Sequence, residues 1–185
     1  MGSGNPGVDP VRVGVTGHRT VQGYDAVVRA IDTVIAGVPT PARLVTSLAE
    51  GTDRLVAHAA WAHGGWLLDV ILPLEADDYR TDFTGPGSAT EFGTLLDAAT
   101  TVTVVAPATR PEAYLAAGLA MLDRSQALIA VWDGDPARGV GGTADIVAEA
   151  RRRAMPVAWI HVDRAAADED DGDAIVTLEG WPWQS

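Results

Sequence analysis

The sequence predicts an α/β fold, doubly wound around a mainly parallel sheet of about six to seven strands with helices on both faces. Three observations predict it: short β-branched apolar runs recur along the chain, amphipathic or alanine-rich helical stretches separate them, and several runs end in glycine-containing loops.

The first strand is read at residues 11–16 (VRVGVT), ended by Gly17. A helix follows over 24–36, where Val27, Ile31, Val34 and Ile35 share one face and Gly37 with Pro39 supplies the stop. The second strand is placed at 44–48, after which Glu50, Gly51 and Thr52 precede an alanine-rich helix to residue 63, closed by Gly64 and Gly65. Residues 66–72 (WLLDVIL) make a third strand stopped by Pro73, opening into a polar, irregular stretch at 75–87 that contains Tyr79, Arg80 and Phe83. Ser88 is read as the cap of a helix reaching residue 99, residues 101–106 as a fourth strand, and 111–125 as a helix with proline at an early position. The fifth and most apolar strand, 127–132 (ALIAVW), leads through a glycine-rich loop at 133–142 into a helix over 143–154 and a sixth strand at 157–162. The acidic stretch 168–173 reads as a solvated loop and 175–178 as a small edge strand. Residues 1–10, rich in Gly and Pro, are expected to be a disordered lead, leaving 11–185 as a single domain.

Composition narrows the function classes. A net charge of −12 and a sequence pI near 4.5 repel polyanions, so no nucleic-acid partner is expected. A compact phosphorylated ligand stays open, because main-chain N–H groups at a helix N-terminus hold phosphate against an unfavourable global charge. With no Cys there is no thiolate ligand or thiol nucleophile, and the five-residue separation of His58 and His63 does not put both on one helical face, so no metal and no cofactor are expected. No leader pattern or membrane-length apolar run is present in the sequence, which is read as cytoplasmic with no membrane partner.

In a doubly wound sheet the ligand lies beyond the carboxyl ends of the strands, which directs attention to the loops there. The loop after the first strand, with Thr16, Gly17, His18 and Arg19, has neither the dinucleotide glycine spacing nor the P-loop lysine, yet it offers close backbone approach, a hydroxyl and a planar cation. In the second loop, Ser47, Glu50 and Gly51 are assigned to the ligand, Glu50 accepting ribose hydroxyls, whereas Asp53 is read as helix capping. The third loop places Gly139, Gly141, Gly142 and Thr143 immediately before a helix, where unpaired N–H groups would grip an anion; the alternative is a simple turn capped by Thr143. Trp132 and Asp133 stand at the fifth strand end, Trp132 where it could stack on a base. Trp181 and Trp183 read as a packing cap or a self-association surface, and with the apolar helix faces they suggest a homodimer.

GVTGHR after the first strand, SLAEGTDRL after the second and ALIAVWDGDPARGVGGT around the fifth together resemble the SLOG superfamily. Its relatives include the LOG phosphoribohydrolases, often labelled lysine decarboxylase-like, the DprA proteins and the nucleotide-sensing regions of TRPM channels. The resemblance spans residues 11–162 and implies a Rossmann-like nucleotide-binding domain, a nucleotide or nucleotide-derived partner and a homodimer. LOG enzymes release a base from a nucleoside monophosphate with an Arg on the helix before the fifth strand and a Glu in a PGGxGTxxE motif. Arg124 stands near that Arg, and Gly141, Gly142 and Thr143 resemble the phosphate end of the motif. The motif Glu, however, is Ile146, and the PGG is replaced by Trp132, Asp133 and Gly134. A binding module that senses or sequesters a nucleotide is therefore the first reading. The alternative is N-glycosidic hydrolysis with Arg124 and with Asp145, Asp133 or Glu50 in place of the missing Glu. A lysine decarboxylase activity is set aside, since the chain has no Lys to form a Schiff base.

Overall fold

The computed structural model describes residues 9–21, 23–105, 109–136, 140–162 and 174–183. Most of the expected lead, the acidic stretch 168–173 and Gly139 lie outside the described residues. The elements run β1 (Val11–Gly17), α1 (Tyr24–Gly37), β2 (Ala42–Thr46), α2 (Thr52–His63), β3 (Trp66–Leu72), α3 (Ala76–Arg80), α4 (Ser88–Asp97), β4 (Thr101–Val104), α5 (Arg110–Asp123), β5 (Ala127–Trp132), α6 (Thr143–Arg152), β6 (Val157–His161) and β7 (Val176–Glu179).

All seven strands join one sheet in the order β4-β3-β2-β1-β5-β6-β7. The pairings from β4 to β6 are parallel and only β7 runs antiparallel. The strand order reverses direction between β1 and β5, and this reversal opens a crevice at their carboxyl ends. Because strand side chains alternate between faces, β5 serves two cores at once. Ala127, Ile129 and Val131 join Val13, Val15 and Leu44 beneath α1 and α2, whereas Leu128 and Ala130 join Val45, Ile71 and Val157 beneath α5 and α6. Every residue of β5 is buried, as its unbroken apolar run predicts.

Three local expectations need correction, and one open alternative is decided. β2 begins earlier than read and ends at Thr46, because the chain then leaves the sheet: Leu48 has a φ of 55°, and its N–H donates to Thr46 Oγ1 at 3.0 Å. The stretch read as irregular contains α3, whose Tyr79 is fully buried and packs edge-on to Phe83 and Phe92 with centroids 5.0 and 5.7 Å apart. Ser88 is not the cap of α4; Gly87 holds that position at φ 76°, and the buried Ser88 accepts from Arg54 Nη1 through its carbonyl and its hydroxyl. The tryptophan tail is a packing cap: Trp181 is buried in the core and meets Trp183 edge-on, with the Trp183 carbonyl against Gly37. No helix among the described residues is long and apolar enough to cross a membrane.

Candidate functional site

A cleft of about 370 Å³ lies over the β1/β5 reversal. Thr16, Gly17, His18 and Arg19 from the end of β1, Ser47 from the end of β2, and Trp132 and Asp133 from the end of β5 line it. Gly141, Gly142, Thr143 and Ala144 close it at the start of α6. The three loops singled out by the sequence thus converge on one space.

The β1 and β2 loops are locked together. Gly51, at φ 80°, lies so close to the β1 loop that a Cβ there would sit 2.3 Å from the Arg19 carbonyl oxygen and 2.5 Å from that of His18. That approach lets Thr52 donate both its N–H (3.1 Å) and its hydroxyl (3.0 Å) to the His18 carbonyl. Gly17 is equally pressed, since its missing Cβ would fall 2.4 Å from Thr52 Oγ1. These glycines therefore build the rim of the cleft; Gly51 does so without lining it, contrary to the ligand contact expected of it.

Asp53, read from the sequence as a cap, is the hub of the second loop and lines the cleft. Its Oδ2 accepts from Thr46 Oγ1 (2.9 Å), Ser47 N (3.1 Å) and Ala49 N (3.3 Å). Burial pushes its carboxyl up from an ordinary 3.8 to about 6, opposed by those three bonds and by Arg54. Glu50, by contrast, turns out of the cleft to accept from the N–H groups of Thr84 and Gly85. Burial works to raise its carboxyl, but the Ser88 side chain, those amides and Arg54 hold it below its ordinary value. The ribose role assigned to Glu50 is thus not available to it inside this cleft.

At the opposite wall, the first turn of α6 is open. Gly142 is the N-cap at φ −72° and ψ 171°, with no side-chain cap. Gly141, which at φ 81° packs against the backbone of Leu115, donates its N–H to Asp145 Oδ2 at 2.8 Å. The N–H groups of Gly142, Thr143 and Ala144 have no hydrogen-bond partner among the described residues, and all three residues line the cleft. Asp145 is occupied with Gly141 and does not line the cleft, which counts against the catalytic role weighed for it. Ile146 does line it, buried against Gly118.

Arg124 is misplaced by the sequence reading. It is the C-cap of α5, at the end of the sheet where β5 begins, and its Nη1 donates to Thr103 Oγ1 at 3.0 Å on the outer strand β4. A helix that precedes a parallel strand must end at that strand's amino side, away from the cleft. Among the described residues, the arginine that does line the cleft is Arg19, whose guanidinium lies 5.4 Å from the centroid of the Tyr114 ring. His18 Nε2 accepts from the Asp133 N–H at 3.2 Å and lies 3.2 Å from Asp133 Oδ1. Trp132 donates its indole N–H to the Asp135 carbonyl and packs against Trp159, so most of its stacking surface is taken within the protein. Tyr79 and Tyr114 complete the wall, and the sequence reading assigned neither to the site. The signal for Tyr79 was the pair of aromatic residues, Tyr79 and Phe83, inside an otherwise polar stretch.

No family model matches the chain, and no curated protein matches it. Among solved structures, the fold is similar to that of DNA processing protein A (DprA) from Streptococcus pneumoniae, at 18% identity and a TM-score of 0.55, covering 87% of this chain and 54% of that one. The chain thus spans about half the length of that DprA chain. A structure titled TM1055 aligns at 15% identity over 80% of this chain and 72% of its own, with a TM-score of 0.48, too low to argue from. The likeness to DprA shows the Rossmann-like α/β fold.

Two outcomes test the loop geometry. Gly51→Ala is expected to lower stability in urea unfolding by about 2 kcal/mol or more, since it combines a positive φ with a backbone clash. Gly23→Ala, at φ 62° and ψ 43° in the left-handed region but with open space around it, should cost only about 1 kcal/mol. The second outcome concerns Asp53, whose folded value lies above its ordinary one. Its protonated form adds stability that is fully present below about pH 4 and is lost as pH rises through about 6. Relative to Asp53→Asn, wild type should therefore lose on the order of 3 kcal/mol between those limits; urea titrations of both proteins across that range check it, and a constant difference would contradict the shift.

Proposed function

We propose that this domain binds a phosphorylated nucleotide, or a ligand derived from one, across the carboxyl edge of the sheet, and senses or sequesters it. The observation that carries the reading is the open first turn of α6, where three main-chain N–H groups face a cleft at the strand-order reversal. The positive end of the helix dipole and oriented amides favour an anion there without any lysine or arginine. Thr16 and Gly17 line the same space from β1, and Arg19 supplies a countercharge there. The SLOG resemblance of the three loop motifs supports the same ligand class. The net charge of −12 argues against the DNA suggested by the name of the DprA neighbour.

A hydrolytic reading has one observation in its favour, the His18 and Asp133 pair at 3.2 Å within the cleft, a proton-transfer couple at the end of β5. Against it, Arg124, Asp145 and Glu50 are all held elsewhere. Incubation with a panel of nucleoside 5′-monophosphates separates the two. Binding alone gives a rise in melting temperature with no free base by chromatography, while hydrolysis releases base.

The phosphate corner has its own test in Gly142→Asp. The backbone angles of Gly142 suit an aspartate N-cap, which would satisfy the α6 amides and leave the fold as stable as before or slightly more so. The same carboxylate occupies the anion's donors and repels it. The variant should keep its melting temperature and lose the shift given by nucleotides; a retained shift would show that the phosphate binds elsewhere.

A further inference from the structure

Two polar groups on the β2 and β3 side of the cleft are not used up by the protein. Tyr79 is fully buried and lines the cleft, and its hydroxyl has no hydrogen-bond partner among the described residues. Asp53 commits Oδ2 to three donors, but Oδ1 takes none among the described residues. Buried hydroxyls are nearly always paired, so an orphan one on a cleft wall points to a group that arrives from outside. Both residues line the same cleft, and burial keeps the Tyr79 phenol protonated, so that it is both donor and acceptor.

Their place in the sheet says what they would meet. β2 lies two strands from β5, a separation of about 10 Å. Starting from a phosphate on α6, a sugar ring with a hydrogen bond at each end fills that span, and the sugar is the part of a nucleotide bonded next to its phosphate. A pair formed by a carboxylate oxygen and a phenol hydroxyl matches two neighbouring hydroxyls, one donating to the carboxylate and the other exchanging a hydrogen bond with the phenol.

Building on the nucleotide reading above, we propose that Asp53 Oδ1 and the Tyr79 hydroxyl form a sugar subsite that recognises the vicinal hydroxyls of a ribose. Glu50, the carboxylate expected there from sequence, is replaced in this role by Asp53. Tyr79 is supplied by α3 and held by Phe83, Phe92 and Tyr114, whose rings surround it at centroid distances of 5.0, 5.7 and 6.1 Å. The subsite is therefore rigid, and a sugar lacking both hydroxyls would leave it unpaired.

The test uses the full chain and calorimetric titration with inorganic phosphate, the four common ribonucleoside 5′-monophosphates and their 2′,3′-dideoxy counterparts. Wild type should bind its preferred ribonucleotide at least about tenfold more tightly than the dideoxy form. In Tyr79→Phe, which removes an unpaired hydroxyl and so should fold with unchanged or higher melting temperature, that ratio should shrink toward one while affinity for inorganic phosphate stays the same. Equal binding of ribo and dideoxy forms by wild type, or a ratio unchanged in Tyr79→Phe, overturns the sugar subsite and leaves the phosphate corner standing. A weaker Tyr79→Phe complex without any ribo-over-dideoxy preference likewise overturns it and assigns the pair to the base. If none of the probes binds wild type, the subsite and the nucleotide reading fall together.

Discussion

The geometry of the cleft depends on how closely two loops can approach, and that approach is set where the His18 carbonyl accepts two hydrogen bonds from Thr52. Only glycine at 17 and at 51 leaves room for it. The consequence is an asymmetry between two helix N-termini at the same sheet edge. At α2 the Thr52 amide is drawn into the protein by the His18 carbonyl, and Asp53 gathers the amides of Ser47 and Ala49 in the loop before the helix. At α6 the amides of Gly142, Thr143 and Ala144 have no partner among the described residues, and those three residues line the cleft. The first terminus helps to build the wall, and the second is the one proposed to hold an anion.

Charge follows the same division. The chain is strongly acidic, and several of its arginines are engaged on the outer surface: Arg151 with Glu179, Arg152 and Arg153 with Glu149, and Arg110 with Asp78 and Asp82. Exposed pairs of this kind add little to stability. They do, however, engage those cations away from the cleft, so on the proposed reading anion attraction by the described residues would rest on main-chain dipoles and on Arg19. A point charge reaches over a Debye length of about 8 Å at physiological salt, whereas hydrogen bonds from fixed amides select for shape at contact. On the proposed reading, an acidic protein with such a site would discriminate between a small phosphorylated molecule and a long polyanion, because only the former escapes the repulsion of the whole surface.

Much of this was legible in the sequence. The third and fifth strands are observed at the residues read, since an unbroken apolar run between glycine or proline stops has few alternatives. The loops that meet in the cleft were visible as motifs after the first, second and fifth strands. What sequence did not resolve was the direction of individual side chains. Glu50 and Asp53 are separated by three residues across a glycine at positive φ, and which carboxylate turns toward the strand ends is decided by the contact of Gly51 with the β1 loop, a long-range event. Arg124 was a different kind of error: the alternation of helix and parallel strand already required the end of α5 to lie at the far edge. Tyr79 escaped because a five-residue helix is stabilised by tertiary aromatic packing and not by its own propensity.

The aromatic cluster bears on why the cleft has the form it does. Phenylalanine at 79 would pack between Phe83 and Phe92 equally well, without the roughly 1–3 kcal/mol that an unpaired buried hydroxyl costs. Asp53 likewise sits where burial disfavours its charge, although asparagine could accept the same amides. Both residues are suboptimal for the empty fold in the same way: each places a hydrogen-bonding atom at the wall that the protein itself does not fully use. Such coupled costs on one wall of a cleft, opposite three unpaired amides on the other, are what a pre-organised binding site requires, because donors and acceptors fixed before the ligand arrives need no reorganisation when it does. The strain resides in the site, and the uninterrupted apolar strands beneath it, β5 above all, supply the stability that allows it to persist.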